Sequence, residues 1–257
     1  MKHISYKRIK VISEGKALMY LSLIPVILLI IKDIDKNNIS YIVFYIILTL
    51  IPLLSGWNYL SKYLYLVEDS IIKTLKISFK LIIVQWLIII FYISLTEDLH
   101  LKHLLSYTYS LKEFIYIVPV KGIIASISEE IFKFFLFFSI LSLIKIRDFE
   151  KKVKTSVILS SIVFGLIYMA RYKYSTLIPI SLITIPTYMV FIKYSSITPL
   201  ILNHLIVFLL FHGSKIKIYD VSSNTIIYIF LSLLSASYLV TYIYKSIKSN
   251  KDTNCLK

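Results

Sequence analysis

Three ionisable side chains stand close together in an otherwise apolar run, S-I-S-E-E-I-F-K-F-F-L-F-F-S-I-L from Ser126 to Leu141: Glu129, Glu130 and Lys133. A charge at the centre of a membrane span costs about 2.5–3.5 kcal/mol on insertion scales, so such a cluster needs mutual pairing, a watery cavity or a function. On a helix, Lys133 lies four positions after Glu129 and three after Glu130, within reach of either carboxylate, and Ser126 lies one turn earlier. Desolvation and a neighbouring ammonium act on a carboxylate in opposite directions, and poised between them one glutamate can serve as a base towards water. The same residues also describe a buried ion pair that only fixes helix packing.

Other polar groups lie on later apolar runs. His204 follows Asn203 near the middle of I-T-P-L-I-L-N-H-L-I-V-F-L-L, where a histidine is either a hydrogen-bonded packing residue or part of a site. In S-S-I-V-F-G-L-I-Y-M-A-R-Y, Gly165 permits close helix packing, and Tyr168 shares a face with Phe164 and Arg171. A tyrosine there is an interfacial anchor or a hydrogen-bond donor, and a phenol is a poor base at neutral pH. His212 falls at a membrane edge. His100 and His103 have an i, i+3 spacing that could seat a metal, but the loop around them offers no clear third ligand.

The elements that must position these groups are transmembrane helices. Of 257 residues 58% are hydrophobic and only five are glycine, and the mean hydropathy is +0.79, which excludes an ordinary soluble domain. The expected fold is all-α: a polytopic bundle of about eight spans forming a single membrane domain over residues 1–257. The apolar runs are Ala17–Ile31, Ser40–Leu54, Ile77–Leu95, Phe114–Ile144, Val153–Ala170, Thr176–Ile192, Ser196–His212 and Thr225–Tyr244. The fourth has 31 residues, about 46 Å of helix, and should tilt, protrude or break near Pro119, Lys121 and Gly122. Trp57–Lys76 alternates Tyr, Leu and Lys as an interfacial amphipathic helix would. The loop Thr96–Glu113 is polar.

The net charge of +15 lies at the ends of apolar runs and not along a stripe, a pattern suited to anionic headgroups and not to nucleic acid. With the N-terminus inside, alternate loops place 18 Lys and Arg on the cytoplasmic side, 8 outside and 3 within spans, favouring an even number of spans and two cytoplasmic termini. A basic segment precedes the first run without a small-residue cleavage site, as expected of a retained span. Cys255 alone can form no intrachain disulfide, and the ending N-C-L-K is not a prenylation box.

The order E-E in one span, F-G-L-I-Y in the next and S-S-I-T-P-L-I-L-N-H after it resembles the CAAX protease and bacteriocin-processing (CPBP, or Abi) family of intramembrane proteases. The likeness covers Lys121–Leu210, within a family-like core of about residues 114–212. The intervals, 39 residues from Glu129 to Tyr168 and 36 onward to His204, are similar to the family's. The family pattern is E-E-x-x-x-R, F-x-x-x-H and H-x-x-x-N. The resemblance implies an eight-helix endopeptidase of the bacterial plasma membrane in which a glutamate and the second-motif histidine activate water, and the third-motif histidine and asparagine stabilise the oxyanion. It assigns Glu129 as base, Glu130 as its neighbour, Phe164 as the aromatic opening the second motif and His204 as oxyanion donor.

Three positions depart from the pattern. Phe134 stands at the arginine position, with Lys133 beside it giving E-E-x-x-K as in the related PrsW proteases. Tyr168 replaces the second-motif histidine and Phe208 the asparagine. Losing one oxyanion donor typically costs about 10²–10³ in rate. Two readings follow. In the first the chain hydrolyses a peptide bond in or near the bilayer, with Glu129 as base, Glu130 and Lys133 as tuning pair, and Tyr168 and His204 as polarising donors. In the second an inactive relative binds a partner, for example in bacteriocin self-immunity. The residues themselves call for no cofactor, although the resemblance admits a divalent metal. The expected partners are the lipid bilayer and a peptide or membrane-protein substrate.

Overall fold

The computed structural model describes residues 11–30, 38–96, 118–172 and 174–213. These form α-helices α1 (Glu14–Leu21), α2 (Leu23–Ile30), α3 (Asn38–Leu60), α4 (Ile71–Thr96), α5 (Val118–Leu143), α6 (Phe149–Arg171), α7 (Leu177–Tyr194) and α8 (Thr198–Gly213), with no strand among the described residues. Helix is what the bilayer demands, because every backbone polar group must be satisfied within its own segment. Phe44–Tyr63, Ile71–Thr96, Phe149–Arg171 and Tyr174–Tyr194 are long and apolar enough to cross a membrane, and Thr198–His212 is a shorter apolar helix. The chain is therefore an integral membrane protein with an all-α bundle.

Helix α5 is as long as α4, 26 residues, and differs in carrying Glu129, Glu130 and Lys133 along its middle. It survives because it is the central helix. Every residue from Ser128 to Ser142 is buried, and α1, α3, α6 and α8 pack around it. A helix buried on all sides needs no polar face, and its charges meet protein instead of lipid. Pro119 and Gly122 both lie within the described helix, which runs unbroken from Val118 to Leu143.

Two other boundaries differ from expectation. The first apolar run splits at Ser22 into two eight-residue helices, with Pro25 in the first turn of the second. The interfacial helix expected over Trp57–Lys76 does not form. Helix α3 continues to Leu60, single turns follow at Ser61–Tyr63 and Val67–Asp69, and α4 starts at Ile71. Glu68 and Asp69 both adopt φ of 51°, left-handed backbone that cannot continue a right-handed helix. This link is instead clasped by the α7–α8 turn. Ile197 N–H donates to the Tyr63 carbonyl (2.9 Å), the Ser196 hydroxyl to the Tyr65 carbonyl (2.6 Å), and the Tyr65 hydroxyl to the Tyr194 carbonyl (2.9 Å).

Helix α6 is capped by Asp148, whose carboxylate accepts from the N–H groups of Glu150 (2.9 Å) and Lys151 (3.2 Å). Gly165 lets α7 close onto it: a Cβ there would stand 2.2 Å from Ser181 Oγ and 2.7 Å from the Leu177 carbonyl. The eighth run, Thr225–Tyr244, and His100, His103 and Cys255 lie outside the described residues.

Candidate active site

The five residues singled out from the sequence, on α5, α6 and α8, meet at one cavity. Glu129 and Glu130 are adjacent on α5, so their carboxylates leave the helix about 100° apart and meet different neighbours. Glu129 Oε1 accepts from the Tyr45 hydroxyl of α3 at 2.6 Å, and Oε2 accepts from the Tyr168 hydroxyl of α6 at 2.5 Å. Glu130 Oε1 takes the Lys133 ammonium, one turn along, and His204 Nδ1 of α8 at 2.9 Å. Its Oε2 is buried and has no hydrogen-bond partner among the described residues. A carboxylate only accepts, so Nδ1 carries the proton and Nε2 is turned towards Glu129 Oε2, 3.8 Å away.

Lys133 Nζ also lies over the Phe164 ring, 5.0 Å from its centroid, so the second-motif aromatic helps hold the cation. The Tyr188 hydroxyl donates to the Lys133 carbonyl at 3.1 Å. Phe134, at the family's arginine position, points elsewhere. Its ring lies 5.2 Å from Tyr63, 4.8 Å from Phe138 and 5.4 Å from Phe191, inside an aromatic core. The cation beside the acids therefore comes from Lys133. Phe208, where the family has asparagine, packs over Gly122, and a Cβ on that glycine would come 2.7 Å from its ring. Its ring centroid is 4.1 Å from that of His212.

The cavity holds about 310 Å³, with Glu129, Glu130, Lys133, Tyr168 and His204 on one side. Gln85, Asn203 and Thr187 form a second polar wall, and Ile89, Ile180, Ile183, Val207 and Phe211 make much of the remainder apolar. Asn203 Nδ2 donates to Gln85 Oε1 at 3.1 Å, and Gln85 Nε2 donates to Thr187 Oγ1 and the Ile183 carbonyl, each at 3.1 Å. Such a mostly apolar concavity with a few convergent polar groups is the usual form of a small-molecule or peptide site.

Tyr45 and Gln85 have no place in the sequence reading. Gln85 is a lone carboxamide in K-L-I-I-V-Q-W-L-I-I-I, a signal that could have found it. Tyr45 is one of 21 tyrosines, and nothing local marks it. Arg171 was noted only as sharing the face of Tyr168, and its Nη1 donates to the Tyr45 hydroxyl at 2.9 Å.

A divalent metal does not fit this arrangement. Both Glu129 oxygens accept from phenols, Glu130 Oε1 accepts from an ammonium and a ring N–H, and Lys133 would repel a dication at the atoms left open, Glu130 Oε2 and His204 Nε2. A catalytic zinc usually takes three protein ligands, and no three His, Cys, Asp or Glu side chains among the described residues are disposed to hold a metal.

Fold and site together define a helical integral membrane protein with a buried two-carboxylate cavity. Residues 111–210 match the family described as Rce1-like, type II CAAX prenyl endopeptidase. The resemblance to the CPBP proteases is borne out over that stretch. No curated protein and no solved structure matches the chain.

Proposed function

We propose that this chain is an intramembrane endopeptidase in which Glu129 activates water against a peptide carbonyl, working with His204. The observation that supports this most directly is the approach of Glu129 Oε2 and His204 Nε2 to 3.8 Å from different helices. That gap is too long for a direct hydrogen bond and brings both atoms within reach of one water. Glu129 takes a proton from the water as its oxygen bonds to the carbonyl carbon. With Nδ1 given to Glu130, Nε2 can donate only as imidazolium, and in that form it stabilises the developing oxyanion. Collapse breaks the C–N bond, and the proton on Glu129 passes to the leaving amine. Tyr168 holds Oε2 in place, and Glu130 with Lys133 fixes the ring. The substrate is a peptide or membrane protein, and both termini of the chain face the cytoplasm.

The test uses purified protein in liposomes, with prenylated-cysteine peptides and unmodified membrane-spanning peptides as probes and mass spectrometry of the products. Cleavage is expected, reduced about 10²-fold or more by Glu129→Gln and by His204→Ala. Glu129→Gln cleaving at the parental rate would overturn the assignment.

A second reading rests on Phe208, whose ring lines the cavity where the family places an amide donor. There the chain binds a hydrophobic partner segment without cleaving it. It predicts that Glu129→Gln leaves the cellular phenotype intact.

A further inference from the structure

Both glutamates are compensated, but only one of the two arrangements follows the helical spacing of E-E-x-x-K. Glu130 has the Lys133 ammonium directly on Oε1. Among the described residues Glu129 pairs with no lysine or arginine, and His204 Nε2 stands 3.8 Å from its Oε2. Its Oε1 instead accepts from Tyr45, and Tyr45 in turn accepts from Arg171 at the C-terminal end of α6. Tyr45 is 2% exposed, and the chain from guanidinium to phenol to carboxylate runs between α6, α3 and α5. A small second cavity is lined by Tyr45, Arg171 and Phe132 together with Glu129, Phe164 and Tyr168, the last three of which also line the main cavity.

We infer that Tyr45 and Arg171 are positioning residues for Glu129, a charge-backed hydrogen-bond arm that fixes Oε1 and leaves Oε2 to face His204. A donor that is itself polarised by a cation makes a stronger hydrogen bond to a carboxylate. A carboxylate held at both oxygens, by Tyr45 on one and Tyr168 on the other, loses the freedom to rotate. This deepens the protease reading where that reading holds, and the arm itself does not depend on it.

The experiment therefore reads the carboxylate directly. Dicyclohexylcarbodiimide, an apolar reagent, modifies protonated carboxyls within membranes, and peptide mass spectrometry separates labelling at Glu129 from labelling at Glu130. In the full-length protein at one fixed pH, Tyr45→Phe is expected to raise Glu129 labelling several-fold with Glu130 unchanged. Arg171→Gln should act in the same direction, and Arg171→Lys should restore part of the parental value. A rise at both glutamates, which general loosening would give, overturns the inference, as does no change at Glu129 in either variant. Should Tyr45→Phe not fold, the Arg171 pair still decides, because that side chain lies at a helix end. In the liposome assay the same variants should lower kcat about 10-fold with KM little changed, the mark of lost alignment. Altered labelling without any peptide cleavage would keep the arm and sink the protease.

Discussion

Two consecutive segments of α5 are equally buried and are held by opposite means. From Glu129 to Lys133 the helix is surrounded by charge and hydrogen bonds: phenols from α3 and α6, an imidazole from α8, and its own ammonium. From Phe134 to Phe138 it is surrounded by rings, with Phe134 and Phe138 in contact with Tyr59, Tyr63 and Phe191. The first segment is a set of obligations, each group needing its partner. The second is a set of contacts, each worth a little and none indispensable. The acids are tolerated because the aromatic segment anchors the helix in the middle of the bundle.

This contrast predicts unequal responses to substitution. Lys133→Met removes the ammonium and leaves Glu130 buried with only the His204 ring, and breaking one partner of a buried pair costs about 3–5 kcal/mol. The double variant Glu130→Gln with Lys133→Met should recover most of that loss, because Gln still accepts from Nδ1 and the charge at position 130 leaves together with its partner. Denaturant unfolding in detergent micelles measures both. A single variant as stable as the parent, or a double variant no better than the single, would show that the ion pair does not govern this segment.

In the aromatic segment the effect should be smaller. Phe134→Ala removes one ring among several, and because the unfolded reference in a membrane is itself apolar, mostly the cavity share of the usual core penalty remains, about 2 kcal/mol. Phe134→Arg, which would recreate the family's E-E-x-x-x-R, should be the worse change of the two. It would put a guanidinium among rings and not beside the acids. Unfolding of both variants checks the order, and an arginine variant as stable as the parent would mean that this position can reach the glutamates after all.

The same contrast explains what the sequence disclosed. Groups whose cost is local were legible: Glu129, Glu130 and Lys133 break an apolar run, and His204 and Tyr168 stand at family-like intervals from them. The all-helical fold followed from the length of the apolar runs. Tyr45 was not legible, because it lies 84 residues from Glu129 and is an ordinary tyrosine in an ordinary span until α3 docks on α5. The Trp57–Lys76 stretch misled because alternating Tyr, Leu and Lys also suits a linker of short turns, and the hydrogen bonds that select those turns come from Ser196 and Ile197 in the α7–α8 turn. Pattern reports which groups need partners, and only the tertiary fold reports which partners they find.

The contact between α3 and α5 gives the smallest predicted effect and separates the arm from the scaffold that carries it. The Thr49 hydroxyl donates to Ser128, whose own hydroxyl lies 2.7 Å from the Ile124 carbonyl and 3.0 Å from the Tyr45 carbonyl. Ser128→Ala removes this bridge beside Glu129 without touching the Tyr45 phenol. Interhelical hydrogen bonds in membranes average about 0.6 kcal/mol, and here the lost partner is partly an intrahelical carbonyl that keeps its backbone N–H bond. The expected cost is therefore about 0.5 kcal/mol, with carbodiimide labelling of Glu129 at the parental level. Tyr45→Phe is expected to differ from this variant in the labelling, with a large change at the carboxylate. If Ser128→Ala raised Glu129 labelling as much as Tyr45→Phe does, the carboxylate would be held by the α3–α5 contact as a whole and not by one phenol.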